Sequence, residues 1–303
     1  MRGAQGYLPR VACGSVPGPL LVVDGPSLLY RAFFALPDSI RDGDGRPVNA
    51  LLGMANLLLY VIERKRPRAT VLCFGQEAAH YRVDLYGGYH AERPPVPDDL
   101  AHQFAQIEEF FGAFGFAIES SPDLEADDLL GAFAAAEAAA AGEALLLTGD
   151  RDMFQCATES VTVLYVKTGG AKGPDEVGPA EVVARYGVTP ELVPDFIALR
   201  GDPSDGLPGA RGIGEKTAAD LLRRHGSLEA VLAGALRERP GVRKALHGHE
   251  DELRAFREIA TLRPVALKRP PDMPMEFEHA AAAARERRMN KLAERLETAA
   301  ATE

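Results

Sequence analysis

The sequence predicts an α/β protein in which a mainly parallel sheet is flanked by helices and followed by a region of helices alone. Three observations carry this. Short apolar runs recur near residues 20, 70, 116, 145 and 161 with helical patterns between most of them, the alternation that builds a parallel sheet. Several of these runs end in an aspartate or a glycine, and ligands of such sheets sit beyond the carboxyl ends of the strands. Past residue 178 strand-like runs stop, and short helical segments take over.

The first run, Leu20 to Gly25, ends in Asp24 and leads into the helical SLLYRAFFAL. Asn49 to Arg66 has apolar residues at helical spacing, and Thr70 to Gly75 is a second strand. Gln76 to Pro97 then changes character, with Tyr81, Arg82, Tyr86, Tyr89, His90 and Arg93 interleaved and few aliphatic residues. Rings beside guanidinium groups suit bases and phosphates, while the composition alone favours a solvated loop, and Gly87-Gly88 and Pro94-Pro95 mark a mobile excursion. Asp98 to Phe114 reads as one amphipathic helix and Phe116 to Glu119 as a short strand.

Glu125, Asp127 and Asp128 open a strongly helical, alanine-rich segment, where acids also favour the helix dipole. Helical spacing puts Glu125 and Asp128 on one face and turns Asp127 away, so only a non-helical first residue or two would let all three converge. The central strand, LLLTGDRD, ends in Asp150 and Asp152. In extended chain both would face one ion, and either could instead cap the helix that MFQCA suggests. The company of other carboxylates favours the ion. Val161 to Val166 reads as the last strand, and GGAKGP after it as a turn.

In the helical part, GARGIGEKTA has glycines at 209, 212 and 214, then Lys216 and Thr217 opening a helix. Its backbone N–H groups and helix N-terminus can hold a phosphate without reading sequence, although it lacks the P-loop spacing. Arg237, Arg239, Arg243 and Lys244 suggest a basic surface, and the charged segment from Ala280 onward reads as an exposed, frayed helix.

With 46% hydrophobic and 26% charged residues, the 303-residue chain can build a sizeable core. No uninterrupted apolar stretch predicts a signal peptide or a membrane span, and three distant cysteines fit neither a disulfide framework nor zinc, which together suggest a cytoplasmic protein. The net charge of −10 argues against a nucleic-acid partner until eight acids are assigned to one pocket, which leaves −2 for the rest.

Five blocks, LLVVDGPSLLYRAFFAL, YGGYHAERPPVPDDL, LEADDLL, LLTGDRDMFQ and GDPSDGLPGARGIGEKTAADLL, closely resemble, in order, the bacterial 5′ nucleases: the amino-terminal exonuclease domain of DNA polymerase I and its stand-alone flap-endonuclease relatives. The resemblance covers roughly residues 20 to 275. It implies a PIN-like sheet with an acid-lined groove over residues 20–177, a flexible arch at about 76–115, and a helical DNA-binding part over 178–272 with a helix-three-turn-helix at about 200–225. A loose leader (1–19) and a helical tail (273–303) would flank these.

The resemblance further implies that Asp24, Glu125, Asp127, Asp128, Asp150, Asp152, Asp202 and Asp205 bind two or more divalent ions, Mg²⁺ or Mn²⁺ by their oxygen chemistry. Arg31, Arg82, His90 and Arg93 would handle the phosphate and Tyr89 would stack on a base. Arg211, Gly212, Gly214, Lys216 and Thr217 would form the duplex-binding turn, with a K⁺ ion held by its backbone oxygens. The expected activity is hydrolysis of DNA at 5′ ends and 5′ flaps in Okazaki-fragment maturation and repair, by a monomer near the nucleoid, with RNA flaps as further substrates. No polymerase region is expected after residue 303, so partner polymerase and ligase would extend and seal the product. The alternatives are a catalytically weakened DNA-junction-binding protein and an RNA-directed nuclease.

Three positions depart from the related pattern. Gly75 stands where an aspartate is usual, so one acid is missing and Gly75→Asp is expected to tighten metal binding or ease a preference for Mn²⁺. His90 replaces a lysine, a weaker clamp whose charge would change near the ordinary histidine value of about 6.5. Gly206 replaces an asparagine.

Overall fold

The computed structural model describes residues 18–167 and 173–301. The predicted leader, apart from Gly18 and Pro19, and most of the GGAKGP turn lie outside the described residues. The strands are β1 (Leu20–Asp24), β2 (Ala69–Phe74), β3 (Ala117–Ser120), β4 (Ala144–Thr148), β5 (Val161–Tyr165) and β6 (Asp175–Val177). They form one sheet in the order β3-β2-β1-β4-β5-β6, parallel except for β6, which runs antiparallel to β5. The strand β6 corrects the expectation that β5 is the last; three residues with two acids give almost no apolar signal.

Successive residues of β1 point to opposite faces, and both faces are buried. Leu20 and Val22 enter one core cluster, Leu21 and Val23 the other. Over the second face lie α1 (Gly25–Ala35), α2 (Asn49–Lys65) and two short helices after α3 (His80–Leu85), namely α4 (Asp98–Phe104) and α5 (Ile107–Gly112). The single helix expected over Asp98 to Phe114 is thus broken at Ala105–Gln106. Leu100, Ile107, Phe110 and Phe111 are all buried, so the break lets both pieces seat on the sheet.

Over the first face lie α6 (Ala126–Ala139) and the helical part: α7 (Pro179–Tyr186), α8 (Val193–Arg200), α9 (Glu215–His225), α10 (Leu228–Gly234), α11 (Pro240–Leu246) and α12 (Glu250–Ala260). An irregular strand of chain from Thr261 to Glu276 then crosses back to α13 (Phe277–Glu286) and α14 (Asn290–Ala300). These last two correct the frayed-tail expectation. Ala280, Ala281, Ala283, Ala284, Met289, Leu292, Ala293 and Leu296 are buried in the second cluster, because small side chains let the two helices pack closely.

The strand order reverses between β1 and β4, the switch point at which parallel sheets open a crevice beyond their carboxyl ends. Asp24 ends β1 and Gly149-Asp150 follows β4 at that point.

Candidate active site

A cavity of about 1030 Å³ opens over this crevice. Its acidic floor contains Asp24, Glu125, Asp127, Asp150, Asp202 and Asp205; Arg31, His90, Arg93 and Arg200 supply cations, and Tyr30, Phe74, Val96 and Phe104 form an apolar wall.

The Asp24 side chain accepts from the Ser27 N–H (3.0 Å), as the cap of α1, and from the Thr148 hydroxyl (2.6 Å). The same hydroxyl oxygen accepts from the Asp150 N–H (2.9 Å), so Thr148 ties the ends of β1 and β4 together. In the sequence the signal for this threonine is a lone hydroxyl that closes an apolar strand just before two aspartates. Asp150 in turn accepts from the Asp152 N–H (2.8 Å), and Asp152 opens a single 3₁₀ turn to Cys156 in place of the expected helix. The capping reading applies to Asp150 and not to a full helix. Asp150 caps a turn, and the turn keeps Asp152 buried beside it.

Glu125 precedes α6 in extended backbone (φ −87°, ψ 163°), the non-helical first residue that convergence required. The outcome divides the trio unexpectedly. Asp127, which spacing turned away, lines the cavity, whereas Asp128 is fully buried and accepts from Tyr81 (2.9 Å), Arg82 (3.0 Å) and the Arg263 N–H (2.9 Å). The structure therefore does not bring Asp128 into the group.

Burial is the largest influence on Asp24, Asp127, Asp150 and Asp152, and for the last three repulsion from neighbouring acids adds to it. It pushes Asp150 up to about 7, with Asp205, Asp24 and Asp202 contributing, and lifts Asp127 and Asp152 well above the usual carboxylate range. Asp24 is raised as well, against the hydrogen bond from Thr148. None of these four forms an ion pair among the described residues. Among the same residues, no three Asp, Glu, His or Cys groups already converge closely enough to hold an ion. The donors fit a hard divalent cation nonetheless: they are oxygens only, several are buried without a counter-charge, and they surround one concave space.

The segment 76–97 is a solvated loop only in part: residues 91–95 are exposed, whereas His80–Leu85 form α3 and Arg82 and Tyr89 are buried. Arg82 on α3 is buried, paired with Glu125 (2.5 Å) and Asp128 (3.0 Å), and its Nε donates to the Ile259 carbonyl (3.0 Å). This is a correction, since a guanidinium so engaged joins α3, α6 and α12 and is not presented to the cavity. Tyr89 is also corrected as an open stacking platform: it is 5% exposed, lies against the His90 ring (3.8 Å between centroids) and donates to Glu125 (2.8 Å). His90 and Arg93 reach the cavity and both approach Asp205, at 3.0 and 3.2 Å. Arg31 donates to the Gly149 carbonyl (2.6 Å), and Arg200, absent from the expected set, pairs with Asp202 (2.9 Å).

The surroundings of Gly75 bear on the gain expected from an aspartate there. A Cβ there would overlap the Leu124 carbonyl oxygen and come within 2.8 Å of the Glu125 carbonyl carbon, so aspartate has no room. Glycine lets the backbone that carries Glu125 run against β2.

Arg211, Gly212, Gly214, Lys216 and Thr217 lie together outside the cavity, between α8 and the start of α9. Ile213 is buried and anchors the hairpin, while Arg211, Gly212, Gly214 and Lys216 are exposed; Gly212 adopts φ +80°. The Thr217 hydroxyl accepts from exposed Arg239 (3.4 Å), which puts the predicted basic surface beside the turn.

Comparison with known proteins bears on the whole arrangement. Residues 19–187 match the 5′-3′ exonuclease N-terminal resolvase-like domain and residues 188–290 the 5′-3′ exonuclease C-terminal SAM fold. The chain is 38% identical over 281 residues to a 5′-3′ exonuclease of Mycobacterium tuberculosis, covering 84% of this chain and 87% of that one. It is 37% identical over 262 residues to the thermostable DNA polymerase I of Thermus thermophilus, covering 86% of this chain but 30% of the polymerase. Among solved structures, the T5 5′-exonuclease with bound divalent zinc superposes with a TM-score of 0.66 at 17% identity, over 92% of this chain and 98% of that one. The catalytic core of Rad2 in complex with DNA substrate gives 0.60 at 13%, over 93% of each. At such identities these likenesses concern the fold. No described helix is long and apolar enough to cross a membrane. With both parts of the chain matched in order and the acids gathered at the switch point, this protein belongs to the 5′-3′ exonuclease family and is a nuclease.

Proposed function

We propose that the chain is a structure-specific 5′ nuclease that hydrolyses DNA at 5′ ends and 5′ flaps, with two or more Mg²⁺ or Mn²⁺ ions held by Asp24, Asp127, Asp150, Asp152, Asp202 and Asp205. The observation that carries this is that Asp24, Asp127 and Asp150 line one cavity with Asp152 buried beside Asp150, and that none of the four forms an ion pair among the described residues, a costly arrangement unless cations complete it. Glu125 shares its charge with Arg82 and stands at the edge of the set, and Asp128 supports it from beneath.

Bound in that cavity, such ions supply the Lewis acidity and charge neutralisation that an anionic phosphodiester with a poor leaving group needs. The chain's own groups do the rest. Arg31 and Arg93 face the cavity and can pair with the phosphate there. The wall of Tyr30, Phe74, Val96 and Phe104 offers apolar faces to unpaired bases. The hairpin from Gly209 to Thr217 offers backbone N–H groups and a helix N-terminus to one strand of a duplex, with a K⁺ ion on its carbonyl oxygens, so recognition follows shape and backbone. An RNA flap meets the same site, since phosphate contacts carry the recognition. The enzyme would act as a monomer at the nucleoid, with polymerase and ligase completing the repair. An inert junction-binding protein would not need unpaired buried acids.

The test incubates 5′-labelled flap, nicked and single-stranded DNA with the protein in Mg²⁺, Mn²⁺ or chelator. The expected result is cleavage near the flap base in either metal and none in chelator. Cleavage that survives chelation would end the reading.

A further inference from the structure

Two of the three positions that depart from the related pattern, His90 and Gly206, meet in the fold. Gly206 lies in the tight turn between Asp202 and Leu207 at φ +76°, and a Cβ there would come within 2.5 Å of the Gly88 carbonyl oxygen. The turn around Gly88 therefore docks on residue 206 because that residue has no side chain. His90 sits at φ +52°, a sparsely populated conformation for a residue with a Cβ, and its surroundings hold it there from every side. Its backbone N–H donates to the Asp205 carbonyl (3.0 Å). Nδ1 donates to the Glu77 carbonyl (2.7 Å), Nε2 lies 3.0 Å from the Asp205 carboxylate, and the ring is stacked on Tyr89. Tyr89 in turn donates to Glu125.

We propose that His90 is a positioning residue for Asp205: with Gly206 it forms a brace that pins the 88–93 segment across the cavity, from Glu125 to Asp205, and fixes the direction of that carboxylate. The flat ring, held by Nδ1–H on the Glu77 carbonyl, by stacking on Tyr89 and, when Nε2 also carries a proton, by donation to the Asp205 carboxylate, is a rigid strut. A lysine ammonium would be a single point charge on a flexible stem and could not do this. The two positions are coupled in this fold, since an asparagine at 206 would press on the Gly88 carbonyl of the turn on which His90 depends. Its effect on catalysis rests on the reading of Asp205 as an ion-binding acid, whereas the brace itself does not.

The experiment uses the full chain in four forms: wild type, His90→Ala, Gly206→Asn and the double variant. Asparagine tolerates positive φ better than most residues, so it tests the contact with Gly88 more than backbone strain. Hydrogen–deuterium exchange without metal or DNA should be faster in segments 86–93 and 202–207 of each single variant, with the sheet still protected. Flap cleavage in saturating Mn²⁺ should show kcat lowered roughly 10- to 100-fold, as for loss of a group that orients a ligand, with KM for DNA nearly unchanged. The double variant should be no worse than either single one, because the brace is already broken. Losses that multiply in the double variant would overturn the proposal. A raised KM in His90→Ala with unchanged exchange would also overturn it, and would restore His90 as a phosphate clamp. If exchange behaves as expected but wild type shows no Mn²⁺-dependent cleavage, the brace stands and the ion-binding reading falls.

Discussion

The two ends of the sheet hold acids of the same chemistry in opposite circumstances. At the carboxyl end Asp127, Asp150 and Asp152 are surrounded by one another and lifted above the ordinary carboxylate range. At the amino end Glu137, at the far end of α6, is buried between Arg68 and Arg269, at 2.5 and 2.9 Å, and these partners outweigh burial and hold it below that range. Asp272 joins from the crossing segment (3.0 Å to Arg68), so this network fastens that segment to the sheet. Paired acids hold the fold together, and unpaired ones store repulsion that a ligand can relieve.

The variant expected to have the largest effect is Asp152→Asn, which removes one member of the repelling set. Flap cleavage should fall roughly 1,000-fold, corresponding to several kcal/mol of transition-state stabilisation. In chelator, however, the thermal midpoint should hold or rise, because burial and repulsion no longer oppose ionisation at that position. A fall in both would make the two ends alike. Glu137→Gln should do the reverse, costing about 3 kcal/mol in denaturant unfolding by removing the buried counter-charge that Arg68 and Arg269 share and leaving exposed Asp272 as the remaining partner of Arg68, while the folded fraction keeps wild-type turnover.

Gly75→Asp sharpens the comparison from the other side. The family pattern alone says that one more acid should tighten metal binding, but the contact with Leu124–Ala126 says that it should displace Glu125. The expected cost is about 1–3 kcal/mol of stability, with more Mn²⁺ required for cleavage. Tighter Mn²⁺ binding by calorimetry would show that the backbone yields.

The smallest effect concerns Glu238, whose pairing with Arg224 (2.7 Å) and then His225 (2.9 Å) holds it down at about 2. A depressed acid contributes stability above its unfolded value of 4.5, and that stability is lost as pH falls from there towards 2. Glu238→Gln should flatten that acid limb of the melting profile and leave the region above pH 5 almost unchanged.

The sheet was legible because its strands are apolar runs buried on both faces, and the aspartates that end β1 and β4 announced the crevice. What could not be read depended on residues distant in sequence. Nothing near Asp128 indicates that Arg82 and Arg263 will consume it, and nothing near Gly75 indicates that residues 124–126 will press on it. The break between α4 and α5 falls at alanine and glutamine, with no glycine or proline to mark it, and the alanine stripe of α13 looks solvated until α14 covers it. The resemblance to 5′ nucleases grouped Asp127 with the other acids where periodicity did not, but it also assigned Arg82 and Tyr89 to the substrate, and here both are held by the protein's own acids.

A crystal soaked in Mn²⁺ and measured at the manganese edge tests the central claim most directly. The account predicts anomalous density in the cavity, with Asp24, Asp127, Asp150, Asp152, Asp202 and Asp205 drawn in around it. Density elsewhere, or none while those carboxylates stay apart, would contradict it.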